Sequence, residues 1–130
     1  MIKNPKNGWC FFSIGAFKGT PSYLTDVPID LLNAFIQYNQ TGTGIAWFDE
    51  EGSDFTLVLN PDSIFIIEEK EQPVLHYFPD LEVGTLKKEL IKDIESDLNG
   101  WAEFIPSDNK HEIYEHKNEI LQKLTILKAL

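Results

Sequence analysis

The chain contains no arginine: its eleven basic residues are all lysines, set against 21 aspartates and glutamates. Arginine is the residue that most often recognises phosphate, because its planar guanidinium matches two phosphate oxygens at once. The absence of arginine, together with a formal net charge of −10, argues against a nucleic-acid ligand. We therefore predict that the chain binds no nucleic acid.

Cysteine is nearly absent, since Cys10 is the only one in 130 residues. A single cysteine can form neither an intramolecular disulfide nor a multi-cysteine metal site. Cys10 lies in the apolar run Trp9–Phe12, and a reactive thiolate would require a base or a positive charge beside it. The sequence therefore favours a small buried side chain at this position.

Long apolar segments are missing as well. No run approaches the ~20 residues that span a bilayer, and Met1–Lys6 lacks the apolar core of a signal peptide. We therefore expect a cytoplasmic protein with no membrane partner. The hydrophobic share of 42% and the charged share of 25% are typical of globular proteins, so we predict a single domain over residues 1–130.

Catalytic motifs are also lacking. Thr41-Gly42-Thr43-Gly44 precedes a predicted strand, so it offers no helix N-terminus to a phosphate. His111 and His116 are five residues apart, whereas a zinc-binding helix needs a spacing of four, and each can instead pair with a glutamate four positions away on a solvated helix face. We predict no enzyme activity, no catalytic residue, no metal ligand and no cofactor.

The negative charge is concentrated in the middle of the chain. Residues 49–82 hold ten acidic residues and one lysine, a net charge of −9, whereas residues 1–48 carry +1 and residues 83–130 carry −2. Acidic turns often serve only to keep a surface solvated. The same concentration suits an acidic face that attracts a basic partner, because long-range attraction raises association rates.

Local patterns predict an α+β domain: an antiparallel meander sheet of about five to six strands with three helices packed on it. Alternation and turn residues predict strands over Trp9–Phe17, Ile45–Asp49, Asp54–Asn60, Ile64–Glu68 and Val74–Phe78, and a short edge strand over Trp101–Ile105. Both faces of Trp9–Phe17 are largely apolar, so we expect this strand to be covered on both sides. Apolar stripes predict helices over Val27–Tyr38, around Leu86–Leu98, and over Asp108–Leu127, with Asp26, Thr85 and Asn109 or Ser107 as caps.

The meander brings two acidic connections together. The hairpin turn Glu50–Ser53 and the charged loop Glu69–Pro73 are separated by two hairpins, so they fall at the same end of the sheet. We predict that this end binds a protein partner through seven carboxylates: Asp49, Glu50, Glu51, Asp54, Glu68, Glu69 and Glu71. Aromatic side chains that project beside them would serve as contact anchors, the candidates being Trp47, Phe48, Tyr77, Phe78 and Trp101.

The chain resembles bacterial immunity proteins in its small size, single domain, lack of arginine, acidity and lack of a catalytic motif. Gly8–Phe12 and Gly100–Phe104 are similar to the Gly-Trp strand openings of several such families. These proteins neutralise a cognate toxin in contact-dependent inhibition and related polymorphic-toxin systems. The resemblance implies an antitoxin that occludes a basic toxin domain, such as a nuclease, by electrostatic complementarity, and it assigns no functional residue.

Two other classes of function remain open on the sequence. One is a small acidic adaptor or phage-borne module that binds a protein other than a toxin. The other is a carboxylate-based metal-binding domain or enzyme, because Asp49–Asp54 places oxygen ligands around a glycine turn, although without the spacing of an EF-hand loop.

Overall fold

The computed structural model describes residues 1–130, with seven strands and four helices. The strands are β1 (Ile2–Lys6), β2 (Trp9–Ile14), β3 (Phe17–Gly19), β4 (Gly44–Asp49), β5 (Asp54–Leu59), β6 (Ile64–Glu69) and β7 (Val74–Tyr77). The helices are α1 (Val27–Thr41, between β3 and β4), α2 (Val83–Ser96), α3 (Leu98–Ala102) and α4 (Lys110–Lys128).

The strands form two separate antiparallel sheets. One has three strands in the order β1-β2-β3, and the other has four in the order β4-β5-β6-β7. The α+β class and the antiparallel meander agree with the sequence prediction. The prediction of one sheet with five to six strands and three helices is wrong, since there are two sheets and four helices.

The segment predicted as one strand, Trp9–Phe17, is two strands. Gly15 has a φ of 54°, a left-handed conformation that glycine adopts without strain, and it turns the chain between β2 and β3. Side chains along β2 alternate between exposed and buried, with Phe11 58% exposed and Phe12 1% exposed. The expectation that this strand is covered on both sides is therefore wrong.

The first helix follows its local signals closely. The Asp26 carboxylate accepts a hydrogen bond from the Ile29 amide (3.5 Å), and Pro28 lies in the first turn. At the other end, Gly42 adopts a φ of 85°, and its amide donates to the Tyr38 carbonyl (2.7 Å). The helix ends three residues later than predicted.

The C-terminal third departs from the prediction at its helix ends. α2 begins at Val83, so Thr85 is not its cap. The predicted strand Trp101–Ile105 is wrong: Trp101 and Ala102 end the short helix α3, whose start is capped by the Asp97 carboxylate through a hydrogen bond from the Gly100 amide (3.1 Å), and residues 103–105 are neither helix nor strand. α4 is capped by Asn109, as predicted.

The core lies between the inner faces of the two sheets and the apolar stripes of the helices. Where the sheets meet, four phenylalanines pack with ring centroids 5.0–6.1 Å apart: Phe12, Phe17, Phe48 and Phe55. The helices bury Leu31, Leu90 and Leu124 on this side of the four-stranded sheet. The opposite face of that sheet is left to solvent.

Candidate functional site

Three carboxylates form a row across the end of the four-stranded sheet. Asp49 on β4 lies opposite Asp54 on β5, and Asp54 lies opposite Glu69 on β6. Directly opposed residues in antiparallel strands project to the same face with side chains about 5 Å apart. The structure thus brings together the β4–β5 turn and the β6–β7 loop, and we call Asp49, Asp54 and Glu69 the acidic row.

Glu68 points away from this row, to the inner face of the sheet. Its carboxylate contacts the His76 imidazole (2.5 Å) and the Lys70 ammonium (3.3 Å). Burial acts to raise the pKa of Glu68, but the hydrogen bonds from His76 and Lys70 outweigh burial and hold the pKa below its usual value. Glu68 is therefore a paired structural carboxylate and is not part of the same surface as the acidic row.

The other six predicted carboxylates have no cation within 4 Å; they are Asp49, Glu50, Glu51, Asp54, Glu69 and Glu71. Several accept hydrogen bonds from neutral donors. The Glu50 carboxylate accepts from the Thr20 amide (2.8 Å), and the Asp54 carboxylate accepts from the Trp47 indole (3.0 Å). These bonds fix the side chains in place without neutralising them, so the negative charge of this end of the sheet remains uncompensated.

Beyond the acidic row, the same face of the sheet is almost entirely apolar. The strand register places two rows of four side chains there, which we call the outer face: Ile45, Val58, Phe65 and Tyr77 in one row, and Trp47, Thr56, Ile67 and Leu75 in the other. At the edge strands these side chains are strongly exposed, with Ile45 at 54%, Trp47 at 45%, Leu75 at 64% and Tyr77 at 51%.

An uncovered antiparallel sheet normally shows polar side chains to water on its solvated face. Here only Thr56 among the eight outer-face residues is polar. Contiguous exposed apolar area of this kind, with a charged border, is characteristic of surfaces that bind other proteins. The outer face and the acidic row together form the candidate site.

Only two of the eight outer-face residues, Trp47 and Tyr77, are among the contact anchors predicted from the sequence. Of the aromatic candidates, Trp47 projects next to the acidic row and Tyr77 one row further along the outer face, whereas Phe48 and Trp101 are fully buried in the core. Phe78 packs against the core and is partly buried. The missed signal was that both alternating phases of β4 are apolar, so periodicity alone could not separate its inner side from its outer side.

The two histidines of α4 have different environments. His111 forms an exposed pair with Glu115 (3.0 Å), as predicted. His116 is partly buried and does not pair with Glu112; it bonds to the Asp26 carboxylate (2.8 Å) instead. No group of three His, Cys, Asp or Glu side chains lies close enough together to hold a metal ion.

Cys10 is buried, as predicted, with 3% of its surface exposed. Burial raises the pKa of its thiol to about 12, which keeps the sulfur protonated and unreactive at neutral pH. None of the helices combines the length and the apolar character needed to traverse a lipid bilayer.

The chain was compared with protein-family models, curated proteins and solved structures. No protein-family model, no curated protein and no solved structure matches the chain.

Proposed function

We propose that this chain is an inhibitor of the immunity-protein type, which binds a basic toxin domain through the outer face and the acidic row. The observation that carries the proposal is the arrangement on one face of the sheet: two apolar rows beside three carboxylates that have no cation partner. The chain acts by binding alone, with no catalytic step and no cofactor.

The two parts of this surface make different contributions to binding. The exposed aromatic and aliphatic side chains supply the affinity, because interface energy concentrates in a few side chains that become buried on binding. Trp47 and Tyr77 are the aromatic side chains of this kind on the outer face. The carboxylates supply attraction at a distance and therefore speed, because complementary charge steers encounter. A partner that brings lysine or arginine to the acidic row also relieves the repulsion among its three carboxylates.

A nuclease toxin suits this surface particularly well. An enzyme that cuts nucleic acid needs a basic cleft to hold the phosphate backbone. An acidic inhibitor that occupies this cleft excludes the substrate by charge and by volume. The same surface binds no nucleic acid, because its own charge repels phosphate.

Growth rescue tests the proposal directly. Genes for immunity proteins lie next to their toxin genes, so the C-terminal domain encoded immediately upstream is expressed from an inducible promoter. We expect growth arrest when this domain is expressed alone and normal growth when the full chain is co-expressed. An upstream product that does not arrest growth, or arrest that the chain does not relieve, would contradict the proposed function.

A matched pair of variants tests which surface acts. Replacing the acidic row by lysine (Asp49→Lys, Asp54→Lys and Glu69→Lys) should weaken rescue. The control makes the same change of charge on the helical side, at three exposed acidic residues: Glu103→Lys, Asp108→Lys and Glu115→Lys. This control should rescue as well as the wild type, and equal loss in both variants would assign the effect to net charge instead of to the site.

A further inference from the structure

Strand β7 forms an open edge of the four-stranded sheet. It pairs with β6 on one side, and no strand pairs with its other side. Its residues Val74, Leu75 and Tyr77 are 39%, 64% and 51% exposed. An apolar edge with unpaired backbone groups is a template for another strand, and proteins usually block such edges with lysine, proline or a bulge inside the strand. β7 contains none of these.

The hydrogen-bond pattern identifies which backbone groups are free. The Phe78 amide donates to the Ile64 carbonyl (2.9 Å), so alternate residues from Phe78 backwards, His76 and Val74, direct their backbone groups at β6. The Asn60 amide donates to the Ser63 carbonyl (3.0 Å), so alternate residues from Ser63 onwards direct their backbone groups at β5. The residues of β6 between them, starting with Ile64, direct theirs at β7, which agrees with this alternation. The N–H and C=O groups of Leu75 and Tyr77 therefore point away from the sheet.

Prolines limit the length of this edge. Pro73 precedes β7 and Pro79 follows Phe78, and neither residue has an N–H to donate. Only a short extended segment can pair here, which prevents the open-ended association that a long edge would permit. The other edge of the sheet, β4, is partly occupied, because the Asp49 carbonyl already accepts a hydrogen bond from the Ser22 amide (2.8 Å).

The charges beside β7 specify the sign of the incoming segment. Glu71 lies three residues before the strand and Asp80 three residues after it; both are exposed, and neither has a cation within 4 Å. A second copy of this chain would bring the same carboxylates and another net charge of −10 to the contact. Charge therefore favours a cationic segment over self-association.

From these observations we infer that β7 receives an extended segment of the basic partner, which adds to the sheet as a fifth strand bonded to Leu75 and Tyr77. The segment alternates apolar side chains, which extend the outer face, with lysine or arginine near Glu71 and Asp80. This inference rests on the proposed function and specifies how the partner docks. Main-chain bonds of the added strand contribute affinity beyond that of the outer-face side chains, and its alternate side chains contribute specificity.

The test measures amide exchange with solvent by NMR in the isotope-labelled full chain, with and without a capped hexapeptide of alternating lysine and valine. In the free chain, the amides of Leu75 and Tyr77 should exchange with solvent faster than those of Val74 and His76. The peptide should slow exchange at Leu75 and Tyr77. A control hexapeptide of alternating glutamate and valine has the same strand propensity and the opposite charge, and it should have no effect.

Two substitutions separate the backbone from the side chain. Leu75→Pro removes an outward amide and leaves the β6–β7 hydrogen bonds intact, whereas Leu75→Ala keeps the amide and removes the side chain. We expect the peptide to bind about tenfold more weakly to Leu75→Pro than to Leu75→Ala, the effect of losing a hydrogen bond at the edge. If Leu75→Pro does not fold, the exchange measurement on the wild type decides the question alone.

Several outcomes would overturn the inference. These are equal binding by the two variants, no change in exchange at Leu75 and Tyr77, slowed exchange at Ile45 and Trp47 instead, or a dimer in sedimentation equilibrium that Leu75→Pro dissociates. Growth rescue by the wild type together with any of these results would leave the proposed function standing and reject strand addition. Peptide addition at β7 without growth rescue would reject the proposed function and leave strand addition standing.

Discussion

At the scale of single residues, two titratable side chains, His116 and Asp26, meet where α4 crosses the start of α1. The His116 ring places one nitrogen 2.8 Å from the Asp26 carboxylate and the other 2.9 Å from the Ala102 carbonyl. Because both partners can only accept, the charged imidazolium, which has two N–H donors, satisfies both. Asp30 lies one turn along α1 from Asp26 and feels its charge.

His116 makes stability depend on pH in a defined direction. The hydrogen bond to Asp26 raises the pKa of His116, burial opposes that rise, and the Ala102 carbonyl adds to it. A group with a raised folded-state pKa stabilises fully below its unfolded value, 6.5 for this side chain, and loses its contribution as pH rises through the folded value. The free energy of unfolding, measured by urea titration, should therefore fall above about pH 6.5, and fall less in His116→Gln. His111→Gln, which alters the exposed pair, should keep the wild-type slope; parallel slopes for all three proteins would contradict this account.

Ionised Asp30 destabilises the fold at neutral pH. Burial, and secondarily the charge of Asp26, raises the pKa of Asp30 from 3.8 to about 6. Its ionised form is therefore disfavoured in the fold, and stability falls as pH rises from 3.8 towards 6. We expect Asp30→Asn to raise the free energy of unfolding at neutral pH by about 1 kcal/mol, less than the full shift implies because the side chain is partly solvated. Asp108→Asn, on an exposed residue, is the control, and destabilisation by Asp30→Asn would refute the interpretation.

Trp47 is the side chain on which we expect binding to depend most. It is 45% exposed, it lies on the edge strand β4 in the outer-face row next to the acidic row, and its indole N–H donates a hydrogen bond to Asp54. Trp47→Ala should weaken binding of the purified toxin domain by about 2 kcal/mol, roughly thirtyfold, as calorimetry would measure it. Tyr114→Ala removes an aromatic side chain that is 62% exposed on α4, and it should leave affinity unchanged. Equal affinity of Trp47→Ala and the wild type would remove Trp47 from the interface.

At the scale of secondary-structure elements, the contact between α1 and β4 depends on one glycine. A Cβ atom at Gly44 would lie 2.0 Å from the backbone oxygen of Ala34, which cannot move without distorting α1. At Gly84 in α2, the same addition meets nothing within 4 Å. The two glycines therefore offer opposite tests of a single methyl group.

We expect Gly44→Ala to lower the free energy of unfolding by about 3 kcal/mol, since the added methyl overpacks a rigid contact. Gly84→Ala should be neutral or raise it by up to about 1 kcal/mol, because alanine favours a helix. Thermal and urea unfolding would measure both. Comparable stability of Gly44→Ala and the wild type would show that α1 and β4 are not in close backbone contact.

The elements predicted correctly are those with strong local signals. The Asp26 cap and the Glu50–Ser53 turn each specify a boundary within a few residues. β1 was missed because Ile2–Lys6 is rich in lysine and asparagine, contains proline, and becomes a strand only by pairing with β2. The predicted strand Trp101–Ile105 is absent because the Asp97 cap starts the helix α3, which ends at Ala102, and both Trp101 and Phe104 are buried in the core.

The candidate site was predictable in part. Hairpin parity placed the two acidic connections at one end, because parity follows from the number of turns alone. The face to which each side chain projects could not be predicted from the number of turns. Glu68 and Glu69 are adjacent, yet they project to opposite faces, and only the strand register decides which one faces His76. The apolar outer face could not be told from the core for the same reason.

At the scale of the whole molecule, charge is segregated. The acidic row has no cation within 4 Å, while lysines of the helices make their contacts elsewhere, as Lys128 does with Glu95 (2.5 Å) and Lys117 with Asn99 (2.9 Å). The negative potential of the sheet end is thus not cancelled by the positive charges of the helices. Self-repulsion of this kind costs stability, and binding of a cationic partner offsets that cost.

We expect the uncompensated charge of the acidic row, beside the apolar outer face, to attract a basic protein. The sharpest test is the association rate constant with the purified upstream toxin domain, measured by stopped flow as a function of ionic strength. For the wild type, we predict a rate constant that falls steeply with added salt. Lysine at the three positions of the acidic row should lower it about tenfold at low salt and flatten its salt dependence. The helical-side lysine control should stay close to the wild type, whereas an unchanged rate and salt slope in the acidic-row variant would show that the acidic row does not steer association.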